Sequence, residues 1–247
     1  MRVASLLVRR LIYSIFVLVG LSILIFLIAR VMPGDPARMA LGPRAPEWVV
    51  ERFRAEMHLD QPIYVQYYYW LRDALRGKFG LSLYTRREVA TDLKEFFPAT
   101  LELVLFSGLI TAIFGILLGV ASARYANRWP DNLFRVFAYM GVVTPSFVFA
   151  IFFLLLFGYL LNILPTTGRL SPGITPPPTI TGLITIDSLI RGNFAAFLNA
   201  LKHLLMPAVA LALGAVAQES RITRSSMTEN LQRDFIALER SQAIPER

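Results

Sequence analysis

An all-α, polytopic membrane protein, with about four transmembrane helices and a small extracytoplasmic helical cap, is the fold that this sequence predicts. Three observations predict it. The chain is 55% hydrophobic with a mean hydropathy of +0.53 and only 17% charged residues, far more apolar than a soluble domain. Its apolar residues fall in blocks long enough to cross a hydrocarbon core of ~30 Å. The basic residues behind the net charge of +8 flank those blocks, as expected of spans anchored by the positive-inside rule. A nucleic-acid partner is excluded by the same layout, which has no basic stripe interleaved with aromatics. The absence of cysteine removes disulfide and thiol chemistry.

Residues 1–10 carry Arg2, Arg9 and Arg10 and read as a cytoplasmic N-terminus, followed by a first span over 11–30. A secretory signal is the rival reading. Its apolar core would be about 7–15 residues and end in a small-residue cleavage site, whereas the run Leu11–Ala29 is longer and ends in Arg30. Pro33-Gly34-Asp35-Pro36 closes the span, because proline lacks a backbone donor and glycine permits the turn. Residues 31–98 form an extracytoplasmic helical loop with helical patches at 46–57 and 63–76. Its ten Lys and Arg residues do not argue against an outside location, because loops this long cross largely regardless of charge. The cluster Tyr64, Tyr67, Tyr68, Tyr69 and Trp70 suits internal packing or an interfacial belt better than a docking surface.

Residues 99–219 form the core with three more spans. The second covers about 101–123, with Glu102 placed at the headgroup edge, and the connection Arg124–Arg135 contains three Arg and reads as inside. The third covers about 136–161 and is interrupted by Thr144-Pro145-Ser146. This is either a simple kink or a break that lines a pathway, since proline frees a carbonyl that neighbouring hydroxyls can satisfy. Residues 162–199, with Pro176-Pro177-Pro178, form an extracytoplasmic loop that includes an interfacial helix over 183–198. A fourth span from Leu201 to Ala217, with His203 marking its outer end, returns the chain to the cytoplasm. Gln218 ends its hydrocarbon part, and residues 220–247 form a basic cytoplasmic segment with Arg221, Arg224, Arg233 and Arg240.

No nucleotide-binding Gly-x-x-x-x-Gly-Lys-Ser/Thr loop occurs, no His-Glu-x-x-His, and no Gly-x-Ser-x-Gly elbow. The two histidines, His58 and His203, lie in different segments. The chain therefore reads as a non-enzyme with no metal or cofactor of its own.

Eight fragments in order carry a family resemblance: PGDPA (33–37), LDQPIYVQYYYWL (59–71), RGKFGLSL (76–83), FPATLEL (97–103), TPSF (144–147), LPTTG (164–168), HLLMPAVALAL (203–213) and RITRSSM (221–227). Together they resemble the inner-membrane permease subunits of ATP-binding-cassette importers for dipeptides, oligopeptides and nickel. The resemblance implies half of a translocation pathway, completed by a second permease subunit, driven by two separate ATP-binding subunits and fed by an extracytoplasmic solute-binding protein. ATP would be bound by those partners, and the chain would sit in the cell membrane with both termini cytoplasmic. The resemblance also assigns residues 220–247 to a segment that couples to the ATPase, with Asp234, Phe235, Ile236, Leu238, Glu239, Arg240 and Ala243 as its contacts. Asp234, Phe235 and Arg240 keep the family pattern, Glu239 replaces a small residue, and Ala243 stands where the family has glycine. Thr144, Ser146 and Gln218 are the candidates for the substrate pathway.

The family normally has about six spans, and this sequence stops at Arg247 within the coupling region. The expectation that follows is a truncated or remnant permease that does not transport unaided, or a subunit completed by a second polypeptide.

Overall fold

A computed structural model describes residues 2–31, 34–82, 84–233, 236 and 242. Its elements are α1 (Arg2–Val31), α2 (Pro36–Leu41), α3 (Glu47–Glu56), α4 (Ile63–Leu75), α5 (Val89–Arg124), α6 (Trp129–Val143), α7 (Ser146–Phe153), a π-helical continuation (Leu154–Leu160), α8 (Ile184–Ile190) and α9 (Phe194–Leu231). Among the described residues the one β pairing is an antiparallel bridge between Leu81 and Glu88. The all-α reading therefore holds. Within α1, α5 and α9 lie stretches long and apolar enough to cross a membrane, and the bent pair α6–α7 makes a fourth if counted as one span. The chain divides into two compact units, Met1–Lys94 and Glu95–Arg247.

In the first unit α1 is apolar on every face, the pattern of a helix solvated by lipid. Among the described residues of α1 only Phe26 is deeply buried, at 5% exposure, and it packs edge-on against Tyr67 and beside Trp70 of α4. Ser22 and the Tyr67 hydroxyl lie 2.8 Å apart. Tyr69 stacks on His58, while Tyr64 and Tyr68 stay exposed. The aromatic cluster therefore spends part of its area on internal packing. Asp35 caps α2 by accepting the Ala37 N–H, and it also accepts a hydrogen bond from Arg54 at 2.6 Å. That bond from Arg54 holds the Asp35 carboxyl below the usual range despite partial desolvation.

The second unit is organised around α9. Its buried face is built mainly from small residues, among them Ala196, Ala200, Ala208, Ala210, Ala212 and Ala217, which let neighbouring backbones approach. α5 uses that proximity: a Cβ added at Gly119 would lie 2.5 Å from the Thr223 Cβ and 2.8 Å from the Ser220 carbonyl oxygen. At Gly141 of α6 an added Cβ would meet the Ala217 Cβ at 2.9 Å. Both α5 and α6 thus touch α9 at positions where a side chain has no room.

The Thr144-Pro145-Ser146 interruption is a break, with the helices before and after it 102° apart. Proline kinks alone bend helices far less than this. Pro145 has no N–H to offer the Gly141 carbonyl, and its ring disfavours helical backbone at the preceding residue. Thr144 accordingly is extended (φ −85°, ψ 123°).

The interfacial helix expected over 183–198 is two helices. α8 ends at Ile190, and α9 starts at Phe194 with Asn193 capping it by accepting the Ala196 N–H at 3.0 Å. Local side-chain bonding thus outcompetes continuation of the helix. Ahead of α8, Asp187 gathers the turn at 180–183 by accepting the N–H groups of Ile180, Thr181 and Gly182 and the Thr181 hydroxyl. Burial pushes the Asp187 carboxyl up, but these four bonds outweigh it and hold the group below its ordinary range.

Candidate functional site

The polar end of the second unit is built on one carboxylate. Asp131, on the first turn of α6, is fully buried (0% exposed). Its Oδ1 accepts from Ser122 Oγ (2.6 Å) and from Arg224 Nε (2.8 Å). Its Oδ2 accepts from the Asn127 N–H (3.0 Å) and from Arg224 Nη2 (2.8 Å), with Arg135 Nη2 at 3.3 Å. The end of α5, the turn after it, the start of α6, and α9 therefore converge on a single group. The two parallel bonds from Arg224 are the bidentate geometry that fixes orientation as well as distance.

Beside this node, α5, α6, α7 and α9 enclose a cleft of about 660 Å³. Phe137, Met140, Phe149, Phe153, Leu213 and Val216 supply apolar walls, while Ser122, Arg135, Ser220, Arg221, Arg224 and Ser225 make one end polar. The cleft exists because α7 leaves the line of α6 at Pro145.

A second buried node joins α5 to the segment before α9. Glu102 is 2% exposed, so protein and not solvent surrounds it. Its Oε2 accepts from Arg169 Nη2 at 2.6 Å, and its Oε1 accepts from the Thr185 N–H and hydroxyl, both at 2.6 Å. Burial of an intramembrane carboxylate requires such partners, and Arg169 and Thr185 are too remote in sequence for a hydropathy reading to have paired them. His203 and Glu102 both line a small adjoining cavity of about 150 Å³. His203 is buried within α9, which begins nine residues earlier at Phe194, with Nδ1 2.9 Å from the Asn199 carbonyl.

Of the pathway candidates, Thr144 is half-buried at the break, Ser146 is exposed at the start of α7, and Gln218 is exposed on α9, where it accepts a hydrogen bond from Arg221 at 2.7 Å. None of the three lines the cleft. Of the coupling candidates, Asp234, Phe235, Leu238, Glu239, Arg240 and Ala243 lie outside the described residues. Ile236 is half-buried and donates its N–H to the Arg233 carbonyl at 3.0 Å. Asp131 was missed by sequence reasoning. Its one signal is a lone carboxylate inside an Arg-rich connection between spans, which shows a charge in need of a partner but not which arginine supplies it.

Apolar helices, one of them broken, packed around a cleft with a charged end, make this a helical membrane protein of the kind in which discontinuous helices mark binding sites in secondary transporters. The comparisons give the particular family. Residues 115–246 match the family described as binding-protein-dependent transport system inner membrane component, and residues 3–104 match its companion N-terminal region. The chain is 41% identical over 231 residues to the probable D,D-dipeptide transport system permease protein of Escherichia coli (strain K12), covering 94% of this chain and 68% of that protein. It is 35% identical over 228 residues to the dipeptide transport system permease protein of Alkalihalophilus pseudofirmus, covering 92% and 68%. A glutathione transport system permease protein of Escherichia coli (strain K12) is 31% identical over 239 residues, covering 97% and 69%.

The chain belongs to the binding-protein-dependent transport system inner membrane component family, the permease subunits of ATP-binding-cassette importers. It is a multi-pass membrane protein and a transport subunit, not an enzyme, and it works with ATPase and solute-binding components.

Proposed function

We propose that this chain forms one half of the pathway for importing short peptides. A second permease subunit supplies the other half, two ATP-binding subunits dock from the cytoplasm, and an extracytoplasmic binding protein delivers the peptide. The observation that carries the reading is the 102° break between α6 and α7 beside α9, which opens a cleft among otherwise lipid-compatible helices. The peptide class is supported by what the relatives' names share, since two are dipeptide systems and glutathione is itself a small peptide.

Both termini are cytoplasmic in this proposal, and residues 31–98 and 162–199 face outward. Arg2, Arg9 and Arg10, then Arg124, Arg128 and Arg135, then Arg221, Arg224 and Arg233 would all lie on the inner face. Thr144, Ser146 and Gln218 line the solute's route once the second subunit is in place. Asp234, Phe235, Ile236, Leu238, Glu239, Arg240 and Ala243 form the contact with the ATPase. ATP binding shifts the assembly between inward-open and outward-open states by binding one of them better.

The test is uptake of a radiolabelled dipeptide by cells that carry this chain with its partner subunits and binding protein. Energy-dependent accumulation that is lost when this chain alone is omitted supports the proposal, and unlabelled glutathione reports the breadth of the site by competition. Accumulation that is the same with and without the chain would remove it.

A further inference from the structure

α6 is held in opposite ways at its two ends. Its first turn is tied to α9 by the Asp131–Arg224 fork, with both carboxylate oxygens occupied and the group fully buried. Its last turn is cut loose from α7 by Pro145. Replacing a buried ion pair with apolar residues of similar volume often leaves stability unchanged or raised. What a fork of two parallel hydrogen bonds adds beyond stability is a fixed angle between the elements that carry it. Here those elements are α9, whose polar end leads toward the segment 234–243, and the helix that forms one wall of the cleft.

We propose that Asp131 is a positioning residue for transport: its two-pronged bond to Arg224 makes the first turn of α6 move with α9, so that a pull on the polar end of α9 swings α6 about the Val143–Ser146 break. The proposal rests on the reading that the ATPase acts on the segment after α9. With 15 residues, α6 is about 22 Å long, so a swing of about 10° displaces its tied end by roughly 4 Å. That is enough to reshape the cleft, whose walls include Phe137 and Met140 of α6. Arg135 also approaches Asp131, but it sits on α6 itself and so cannot link that helix to α9.

The experiment uses the complete assembly in proteoliposomes, with labelled dipeptide as the transported probe and ATP hydrolysis measured in parallel. Asp131→Asn and Arg224→Gln are expected to lower peptide moved per ATP hydrolysed by about tenfold or more, a size typical of coupling between sites, while hydrolysis itself persists. Arg124→Gln, at an exposed arginine on the last turn of α5 that does not line the cleft, should leave the ratio unchanged. A purely structural role would instead lower uptake and hydrolysis together and leave the ratio intact, and that result would overturn the proposal.

A second reading does not depend on uptake. The chain has no cysteine, so Trp129→Cys and Ile222→Cys, both at exposed sites, can carry spin labels without background. Their separation should stay constant between nucleotide-free and ATP-bound assemblies, and it should broaden when Asp131→Asn is added. A nucleotide-dependent change of more than roughly 3 Å in the otherwise unmodified chain, beyond the small shifts of packed helices, would mean that the fork opens, and the proposal would fall. If the unmodified assembly hydrolyses ATP and moves no dipeptide, the peptide reading fails on its own, and the label distances still decide whether α6 follows α9.

Discussion

Replacing Glu102 with alanine removes a buried carboxylate that accepts three hydrogen bonds, all at 2.6 Å. Two consequences differ in weight. The Thr185 N–H lies in a residue only 4% exposed, so it loses its acceptor with little water to replace it, at a cost of about 1–3 kcal/mol. The Arg169 side chain is 37% exposed and recovers hydration, so its share is discounted to about 1 kcal/mol or less, as for partly exposed ion pairs. The expected loss is therefore about 3 kcal/mol. Arg169→Ala should cost as much or more, about 3 kcal/mol or above, because it leaves the Glu102 carboxylate buried without its counter-charge and the Gly182 carbonyl without its donor. Glu102→Gln retains an acceptor oxygen for Thr185 and should fall between unmodified protein and alanine. The assay is reversible unfolding in mixed micelles by detergent titration, followed by helical circular dichroism. The double variant should show a coupling of about 1 kcal/mol or more. A Glu102→Ala chain within about 0.5 kcal/mol of unmodified protein, or strict additivity with Arg169→Ala, would refute the reasoning.

Gly119→Leu forces a side chain into the 2.5 Å gap at Thr223 and should destabilise the α5–α9 contact by about 1–3 kcal/mol, read as a lower melting temperature in micelles. Gly108→Ala, with nothing within 4 Å of the added carbon, should be neutral or better in the same measurement. Because the folded-state pKa of Asp187 is depressed, its stabilising contribution is full above the ordinary Asp value of about 4 and is lost as pH falls through the lower folded value. Asp187→Asn should thus lower stability at neutral pH and flatten the acid limb of a stability–pH curve; a limb of unchanged slope would contradict the assignment. Deleting residues 234–242 should abolish co-purification of the ATPase subunits while leaving helix content nearly unaltered.

The span-forming runs were legible because lipid leaves a chain few options: 18 or more apolar residues must close their own backbone bonds as a helix. The position of the break was equally legible, since Pro145 states its effect locally. Its 102° size was not, because the angle depends on how α7 packs after the cut. The polar nodes were hidden for a related reason. Glu102 finds Thr185 and Arg169, and Asp131 finds Arg224, across sequence separations of 67 to 93 residues that no hydropathy window spans. The split of 183–198 was missed because an Asn side chain capping α9 outweighed an amphipathic pattern that runs through both helices.

Everything proposed for coupling requires the polar end of α9 to face the compartment that holds ATP. The cysteine-free chain permits the direct measurement: single variants Ser226→Cys near the end of α9 and Gly173→Cys in the segment before α8, each probed with a membrane-impermeant thiol reagent. In intact cells Gly173→Cys should label and Ser226→Cys should not, with Ser226→Cys becoming reactive once the membrane is permeabilised. Labelling of Ser226→Cys from outside in intact cells would invert the orientation and separate α9 from any cytoplasmic ATPase.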